Sequence, residues 1–241
     1  MIKWMESARL LFKGGLLAAG LCVAASASAD PGYYVMKPYS APGRLTIDTR
    51  FWTVRLDGQQ ATLWPEVGLR YGIDTRWSSE LLASFIGDSL DEQKLSSLNW
   101  INTYLLTQGQ YPFDLALHTQ IIRNHGAGNA LEWGALLQTE VGLTQLNLNV
   151  VFEHDWPSDA GTQLKYQWQA VHRLRPGLRA GLQGFGEVGQ WDHWSENPSH
   201  RAGFVVQFDD LRNIQAQAAY LRGKIYGARG DMFSAQVELQ F

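Results

Sequence analysis

Charged side chains recur at every second position in several short segments of this chain. Because alternate residues of a β-strand point to the same face, these segments place their charges on one face and their apolar residues on the other. An enclosed charged face has two possible roles. Opposite charges pair as a structural core, since an unpaired buried charge is costly, or they line a hydrated pore. We expect the following residues to line such an interior: Arg70, Glu132, Lys165, Arg173, Arg179, Glu187, Arg201 and Glu238.

A nucleophile–base pair would be a different chemistry. Outer-membrane phospholipases and lipid deacylases place a Ser and a His on the lipid-facing wall, with a third polar residue to orient the base. Ser199-His200 is the nearest Ser–His pair in the sequence. Adjacent residues of a strand point to opposite faces, so these two side chains could not readily share a proton. We therefore predict no catalytic residues, and a lipid-modifying enzyme is the weakest hypothesis.

Two segments without strand alternation, 154–161 and 192–200, carry aromatic and imidazole side chains that could make surface contacts: Trp156, His193, Trp194 and His200. Together with nearby carboxylates, the imidazoles could in principle collect a divalent metal ion. Their spacing is irregular, and the chain has no His-rich run, so solvated loop polarity is the better interpretation. The indoles could equally stack on a sugar ring or rest on lipopolysaccharide. We predict no metal and no cofactor.

The C-terminal segment indicates which kind of element positions these residues. From Phe233 to Phe241, apolar or small residues alternate strictly with polar ones, and the chain stops on an aromatic ring. In a soluble protein this would leave an exposed strand edge, whereas in an outer-membrane barrel it is the closing strand. The pattern resembles the C-terminal signature that bacterial outer-membrane proteins present to their assembly machinery. We therefore expect Phe241 to be an assembly signal and that machinery to be a partner.

The N-terminus has the features of a secretory signal. A basic region precedes a short apolar stretch, and Ala27-Ser-Ala29 provides small residues before a cleavage site. The formal net charge of −3 becomes −5 once this segment is removed, and Cys22, the one cysteine, leaves with it. An acidic chain without a basic stripe argues against nucleic-acid binding. We expect export to a Gram-negative outer membrane, where lipid and lipopolysaccharide surround the protein.

Alternating segments separated by turn residues predict an all-β, transmembrane antiparallel β-barrel of twelve strands. We place the signal peptide at 1–29, a Pro-rich periplasmic tail or a plug at 30–43, and the barrel at 44–241. Long connections at 155–161 and 192–199 are expected on the outer side, with short turns on the inner side. The predicted strands are 44–57, 61–73, 76–87, 94–107, 111–124, 129–141, 143–154, 162–175, 178–191, 200–209, 212–226 and 230–241.

Alternation also assigns faces. We expect Leu148 and Val206 to face lipid and Gln167 to face the interior, where a charged substitution should be tolerated better. Five indoles are expected near strand ends or on the outer face, where they suit the headgroup boundary: Trp64, Trp77, Trp133, Trp168 and Trp191.

Three segments, 131–142, 146–153 and 184–194, resemble a group of uncharacterised proteobacterial outer-membrane β-barrels. The general succession of hairpins is similar, more weakly, to outer-membrane transporters of the meta-pathway phenol-degradation type. The resemblance implies fold and location and brings no catalytic residues. The leading hypothesis is a porin-like channel or facilitator for small solutes. The alternative is a non-conducting structural or surface-interaction barrel that acts through its extracellular loops.

Overall fold

Twelve antiparallel strands close into a single barrel in which each strand pairs with its sequence neighbours and the first pairs with the last. The computed structural model describes residues 33–157, 161–211 and 213–241, so the expected signal peptide lies outside the described residues. The strands are β1 Leu45–Leu56, β2 Thr62–Gly72, β3 Trp77–Ile86, β4 Lys94–Leu105, β5 Phe113–Asn124, β6 Gly128–Val141, β7 Thr144–Asp155, β8 Thr162–Arg175, β9 Leu178–Gln190, β10 Trp194–Leu211, β11 Ile214–Ile225 and β12 Ala228–Gln240.

The predicted fold class is therefore confirmed, with one element differing clearly. β10 starts at Trp194, so most of the expected 192–199 loop is strand, and its pairing with β9 shifts register between Trp194 and Ser199. A β-bulge of this kind interrupts the alternation from which strands are recognised in a sequence.

We call the end where β1 begins and β12 ends the lower end, and the opposite end the upper end. Upper connections span 57–61, 87–93, 125–127, 156–161, 191–193 and 226–227, and lower ones 73–76, 106–112, 142–143, 176–177 and 212–213. The expected contrast between long outer loops and short inner turns is thus weak, because 106–112 is as long as 87–93. Two lower turns have glycines in the left-handed region, Gly142 at φ 63° and Gly177 at φ 71°.

The outward face of the barrel is apolar in its middle. Leu148 is exposed there, while its sequence neighbours Asn147 and Asn149 are buried inside. This is the arrangement expected of a barrel with lipid outside and a polar interior. No helix within the described ranges has the length and apolarity to cross a membrane.

One of the five tryptophans predicted at the headgroup boundary lies elsewhere in the structure. Trp77, Trp133 and Trp191 are exposed, but Trp64 is only 4% exposed and lies inside the barrel. Trp64 stands two residues before Glu66, which is also buried, so strand periodicity puts both on the interior face. The indole stacks on Trp52 with ring centroids 4.1 Å apart. An interior partner, rather than the headgroup boundary, therefore explains this tryptophan.

The chain before β1 runs through the barrel interior. At the upper end the Tyr33 hydroxyl donates to the Tyr226 hydroxyl at 2.7 Å, in the connection between β11 and β12. At the lower end the Gly43 N–H donates to the Gly72 carbonyl at 2.7 Å. A Cβ on Gly72 would lie 1.9 Å from the Ala41 carbonyl oxygen, so this close approach requires glycine. We call residues 33–41 the luminal segment.

Arginine at the middle of the outward face should destabilise the barrel, whereas the same change near the end of a strand should not. We expect Leu148→Arg to cost about 2–4 kcal/mol and Val141→Arg, at the lower end of β6, about 0–1 kcal/mol. Both side chains are exposed on the outside. The measurement is reversible denaturant unfolding of the refolded barrel in phospholipid vesicles. Equal losses in the two variants would mean that these positions do not differ in membrane depth.

Candidate functional site: the barrel interior

The luminal segment contacts opposite walls of the barrel. Tyr33 and Val35 pack in an apolar cluster with residues of β1, β2 and β8–β12, whereas Met36 and Tyr34 pack against residues of β4–β7. The Tyr33 ring lies edge-on to Trp52 at a centroid distance of 4.3 Å. The Arg201 guanidinium sits 4.0 Å above the same ring. Packed side chains thus extend across the interior from one wall to the other.

Amide side chains of the wall hold the backbone of this segment. The Met36 N–H donates to Gln167 Oε1 at 3.3 Å, and Asn149 Nδ2 donates to the Met36 carbonyl at 3.0 Å. Asn149 and Gln167 also bond each other at 2.9 Å. A buried N–H or C=O without a partner is costly, so the wall supplies what a neighbouring strand would otherwise supply. Gln167→Arg would remove the acceptor of both bonds. We therefore no longer expect a charged substitution at position 167 to be tolerated.

These two residues belong to a larger set of interior amides on β6 to β12, hydrogen-bonded to one another in groups, which we call the amide belt. Gln207 donates to Gln169 at 3.0 Å and to Gln217 at 3.2 Å, and Gln217 donates to Gln236 at 2.8 Å. The belt ends where Gln236 donates to Asp48 at 3.0 Å. Its uncharged donors and acceptors can bond to one another, to a peptide backbone or to water. The remaining members are Gln138, Gln145, Asn147, Asn149, Gln167 and Gln183.

Charged groups concentrate on the wall formed by β12 and β1–β3. Arg50 lies between Asp48 at 2.5 Å and Glu80 at 2.7 Å, and all three side chains are buried. Arg70 pairs with Glu238 at 2.7 Å. Arg50 also lies 3.6 Å above the ring of Tyr34, so the luminal segment covers this charge network. Cation–π contact and ion pairing together hold the segment against the wall.

The predicted interior residues of the other strands also find partners. Lys165 donates to Glu153 at 2.8 Å, Arg201 to Glu187 at 3.2 Å, and His118 Nε2 lies 2.9 Å from Glu132. Arg179 bonds Gln145 and lies 3.6 Å from Glu140 and 3.8 Å from Asp209. Arg173 is exposed at the lower end of β8, beyond the enclosed part of the interior. Opposite charges thus pair around much of the barrel, as a structural core requires.

A cavity lies in the lower part of the barrel interior. This cavity has a volume of about 290 Å³ and lies between the luminal segment and the wall. Its lining includes the following charged residues: Lys37, Arg44, Arg70, Arg179, Asp209 and Glu238. Both signs are present, so the cavity suits small polar solutes and water better than an apolar ligand.

Tyr39 ties the segment to the wall beside this cavity. Its hydroxyl donates to Asp114 Oδ2 at 2.7 Å and accepts a bond from Gln138 at 3.0 Å. Partial burial, with the Asp114 hydrogen bond and charge added, raises the pKa of Tyr39. The phenol therefore remains a protonated donor at physiological pH.

The residues expected on the upper loops are dispersed. Trp156 and Trp194 are exposed, but Trp194 begins a strand and His200 lies within that strand, not in a loop. The Tyr166 hydroxyl lies 2.5 Å from His200 Nδ1 on the outward face. Ser199 is buried in the interior, so the Ser199 and His200 side chains point to opposite faces. The described residues contain no group of three or more His, Cys, Asp or Glu side chains that could hold a metal ion.

Sequence reasoning missed the residues that fill the upper interior. Trp52 and Trp64 were not recognised as interior residues, although both lie two positions from an interior charge, Arg50 and Glu66. That spacing was the signal that could have found them. The contacts of Tyr33 and Met36 had no such signal, because the luminal segment has no alternating pattern of its own.

The fold is shared with solved outer-membrane barrels. The NanC porin matches with a TM-score of 0.63 at 9% identity, over 80% of this chain and 98% of that one. An outer-membrane channel from Pseudomonas putida F1 matches with a TM-score of 0.58 at 13% identity, over 88% and 99%. The translocator domain of the autotransporter NalP from Neisseria meningitidis gives 0.50 at 11% identity, over 84% and 90%.

At these identities the similarity establishes the fold alone. No known family profile and no curated protein matches the sequence. The chain is therefore an outer-membrane-type β-barrel on structural grounds.

Removing the cation from the Asp48–Arg50–Glu80 network should destabilise the barrel strongly. We expect Arg50→Met to cost about 3–5 kcal/mol, because it leaves two buried carboxylates uncompensated. The triple variant Asp48→Asn/Arg50→Met/Glu80→Gln removes all three charges and should recover most of that loss. Denaturant unfolding in vesicles measures both. A triple variant as unstable as Arg50→Met would show that lost packing, rather than uncompensated charge, causes the effect.

Proposed function

We propose that this protein is a porin-like channel for small polar or moderately hydrophobic solutes, closed in the observed state by its luminal segment. The observation that carries the proposal is the way the segment is held. Its backbone at Met36 bonds to amide side chains, and its rings lie on cations, without any covalent tie to the wall except through Gly43. Such contacts can be exchanged for water.

Displacement of the segment would expose a wall suited to hydration. The amide belt and the paired charges of β1–β3 offer hydrogen-bonding groups along the interior, and polar cavities of sufficient size hold water. The cavity of about 290 Å³ already extends partway along this route from the lower end. The likeness of the fold to a porin and to an outer-membrane channel supports the same function. The resemblance to meta-pathway transporters remains a prediction and provides no substrate.

The alternative is a non-conducting barrel that acts through its surface. One observation favours it: Tyr33, Trp52, Trp64 and Phe185 pack together in the upper interior as a protein core does. If this cluster never opens, the interior charges serve only to stabilise the barrel. Conductance measurements on the refolded chain separate the two functions.

Removal of the luminal segment should convert the barrel into a steadily conducting pore. We expect the mature chain to show rare, brief openings in a planar bilayer and a variant lacking residues 30–41 to show stable, salt-dependent conductance. Two point variants form a matched pair: Gln167→Leu loses a bond to the segment, whereas Gln183→Leu loses only a bond to Gln169. Gln167→Leu should open more often than Gln183→Leu. If the folded deletion variant does not conduct, the channel function is rejected in favour of the alternative.

We also propose that the chain is exported with cleavage after Ala29 and inserted into a Gram-negative outer membrane, and that it is not an enzyme. The basic and apolar segments before Ala29 support export, and the apolar outward face supports insertion. The opposite orientations of Ser199 and His200 support the absence of a hydrolytic pair.

Phe241 is proposed as the signal read by the assembly machinery. Its backbone closes the barrel, since its N–H donates to the Leu45 carbonyl at 2.8 Å and its carbonyl accepts from the Leu45 N–H at 3.3 Å. Its ring is exposed on the outside and is therefore available to another protein.

Replacing only the ring should separate these two roles. Phe241→Ala keeps both backbone bonds, so we expect normal refolding into detergent but a clear loss of assembled protein in cells, measured by heat-modifiable migration on gels. Deletion of Phe241 should impair both. Normal assembly of Phe241→Ala in cells would show that the ring is not the signal.

A further inference from the structure

The outward face of β10–β12 and β1 carries basic side chains at its upper end. In the uppermost row, His200, Lys224 and Arg229 are cross-strand neighbours on β10, β11 and β12. In the next row, Arg222 of β11 and Arg55 of β1 flank Asp231 of β12. We call Arg55, Arg222, Lys224 and Arg229 the basic patch.

A row of aromatic rings lies directly below the patch. Phe204, Tyr220 and Phe233 are cross-strand neighbours on β10, β11 and β12, two residues below Arg222 and Asp231 along the strands and therefore on the same face. All three side chains are well exposed on the outside, with Phe204 at 74%. Aromatic rows of this kind mark the boundary between the hydrocarbon and the headgroups of a membrane. The basic patch is therefore at the depth of the headgroups on the upper side.

The patch is only partly neutralised by the protein. Arg55 lies 3.2 Å and Arg222 3.7 Å from Asp231, while both arginine side chains remain more than 60% exposed. Asp57, which follows β1 beside Arg229, is a second carboxylate of this region. Lys224 donates to Asn197, which follows Glu196 on β10. With Glu196 included, four cations face three carboxylates, before His200 is counted. Arg222, Lys224 and Arg229 also line a shallow groove on the outside of the barrel.

We propose that the basic patch binds the phosphate groups of a phosphorylated glycolipid of the lipid A class in the outer leaflet. Guanidinium groups bind phosphate in a bidentate manner, and ammonium groups bind it as point charges. A lipid places its phosphates at the level of the patch and its acyl chains beside the aromatic row, so one molecule fits both. Asp231 acts as a positioning residue, because it holds Arg55 and Arg222 side by side. The proposal rests on the placement in an outer membrane and is independent of conduction.

The opposite wall of the barrel does not have this arrangement. Lys94 and Arg123 are exposed near the upper ends of β4 and β5, but the adjacent connection 87–93 carries three carboxylates, Asp88, Asp91 and Glu92. These acidic residues lower the positive potential on that side. Lys94 and Arg123 therefore provide a matched control for loss of two positive charges at the same end of the barrel.

The experiment measures binding of diphosphoryl lipid A to the folded, detergent-solubilised mature chain by native mass spectrometry. We expect Arg222→Gln/Lys224→Gln to bind about 25-fold more weakly than wild type, since each basic side chain beside an anionic lipid contributes roughly fivefold. Lys94→Gln/Arg123→Gln should bind within about twofold of wild type. The charge-conserving Arg222→Lys/Lys224→Arg should retain most of the affinity. Heat-modifiable migration establishes that each variant is folded.

Ligand variants identify the group that is recognised. We expect the wild-type chain to bind dephosphorylated lipid A about 25-fold more weakly than diphosphoryl lipid A. This is the same loss that Arg222→Gln/Lys224→Gln should show with diphosphoryl lipid A. Inorganic phosphate at millimolar concentration should not compete effectively, because it lacks acyl chains to lie beside Phe204 and Tyr220. The proposal is overturned if Arg222→Gln/Lys224→Gln and Lys94→Gln/Arg123→Gln lose the same affinity for diphosphoryl lipid A. It is also overturned if the wild-type chain binds dephosphorylated lipid A as tightly as the diphosphoryl form. Full competition by inorganic phosphate would reassign the patch to free anions and also overturn it.

Discussion

The structure depends on the requirement that a peptide segment enclosed in a barrel must have partners for its backbone polar groups. A closed barrel uses all strand edges in its own wall, so no edge remains to pair with a chain in its interior. The side chains of Asn149 and Gln167 fill this role at Met36, and the Tyr33 and Tyr39 hydroxyls fix the segment at either side of it. This requirement accounts for the two interior amides Asn149 and Gln167.

The same interior serves stability and function with one set of residues. Charges placed inside a barrel must either be hydrated or be paired, and the network around Arg50 shows pairing where the luminal segment covers it. When a segment covers a polar wall, its removal exposes groups that water can satisfy. A barrel of this construction can therefore be closed and stable in one state and hydrated in another.

On the outside of the barrel, the type of side chain changes with its position along the barrel axis. Apolar side chains occupy the middle, an aromatic row follows, and cations lie above it on β10–β12 and β1. Each level corresponds to one layer of the surrounding membrane. The interior and the exterior thus use the same strands for different purposes, because successive residues point to opposite faces.

The strand count, the antiparallel order and the interior position of charged residues such as Lys165 and Glu238 follow from the sequence alone, because period-2 alternation is a local property. The same alternation would have placed Trp64 inside with Glu66, had it been applied to aromatic residues as strictly as to charged ones. The start of β10 was missed because a register shift interrupts the alternation. Only the tertiary structure decides where residues 33–41 lie, since their partners, such as Gln167 and Asn149, are more than a hundred residues away. A segment without periodicity contains no local record of such distant contacts.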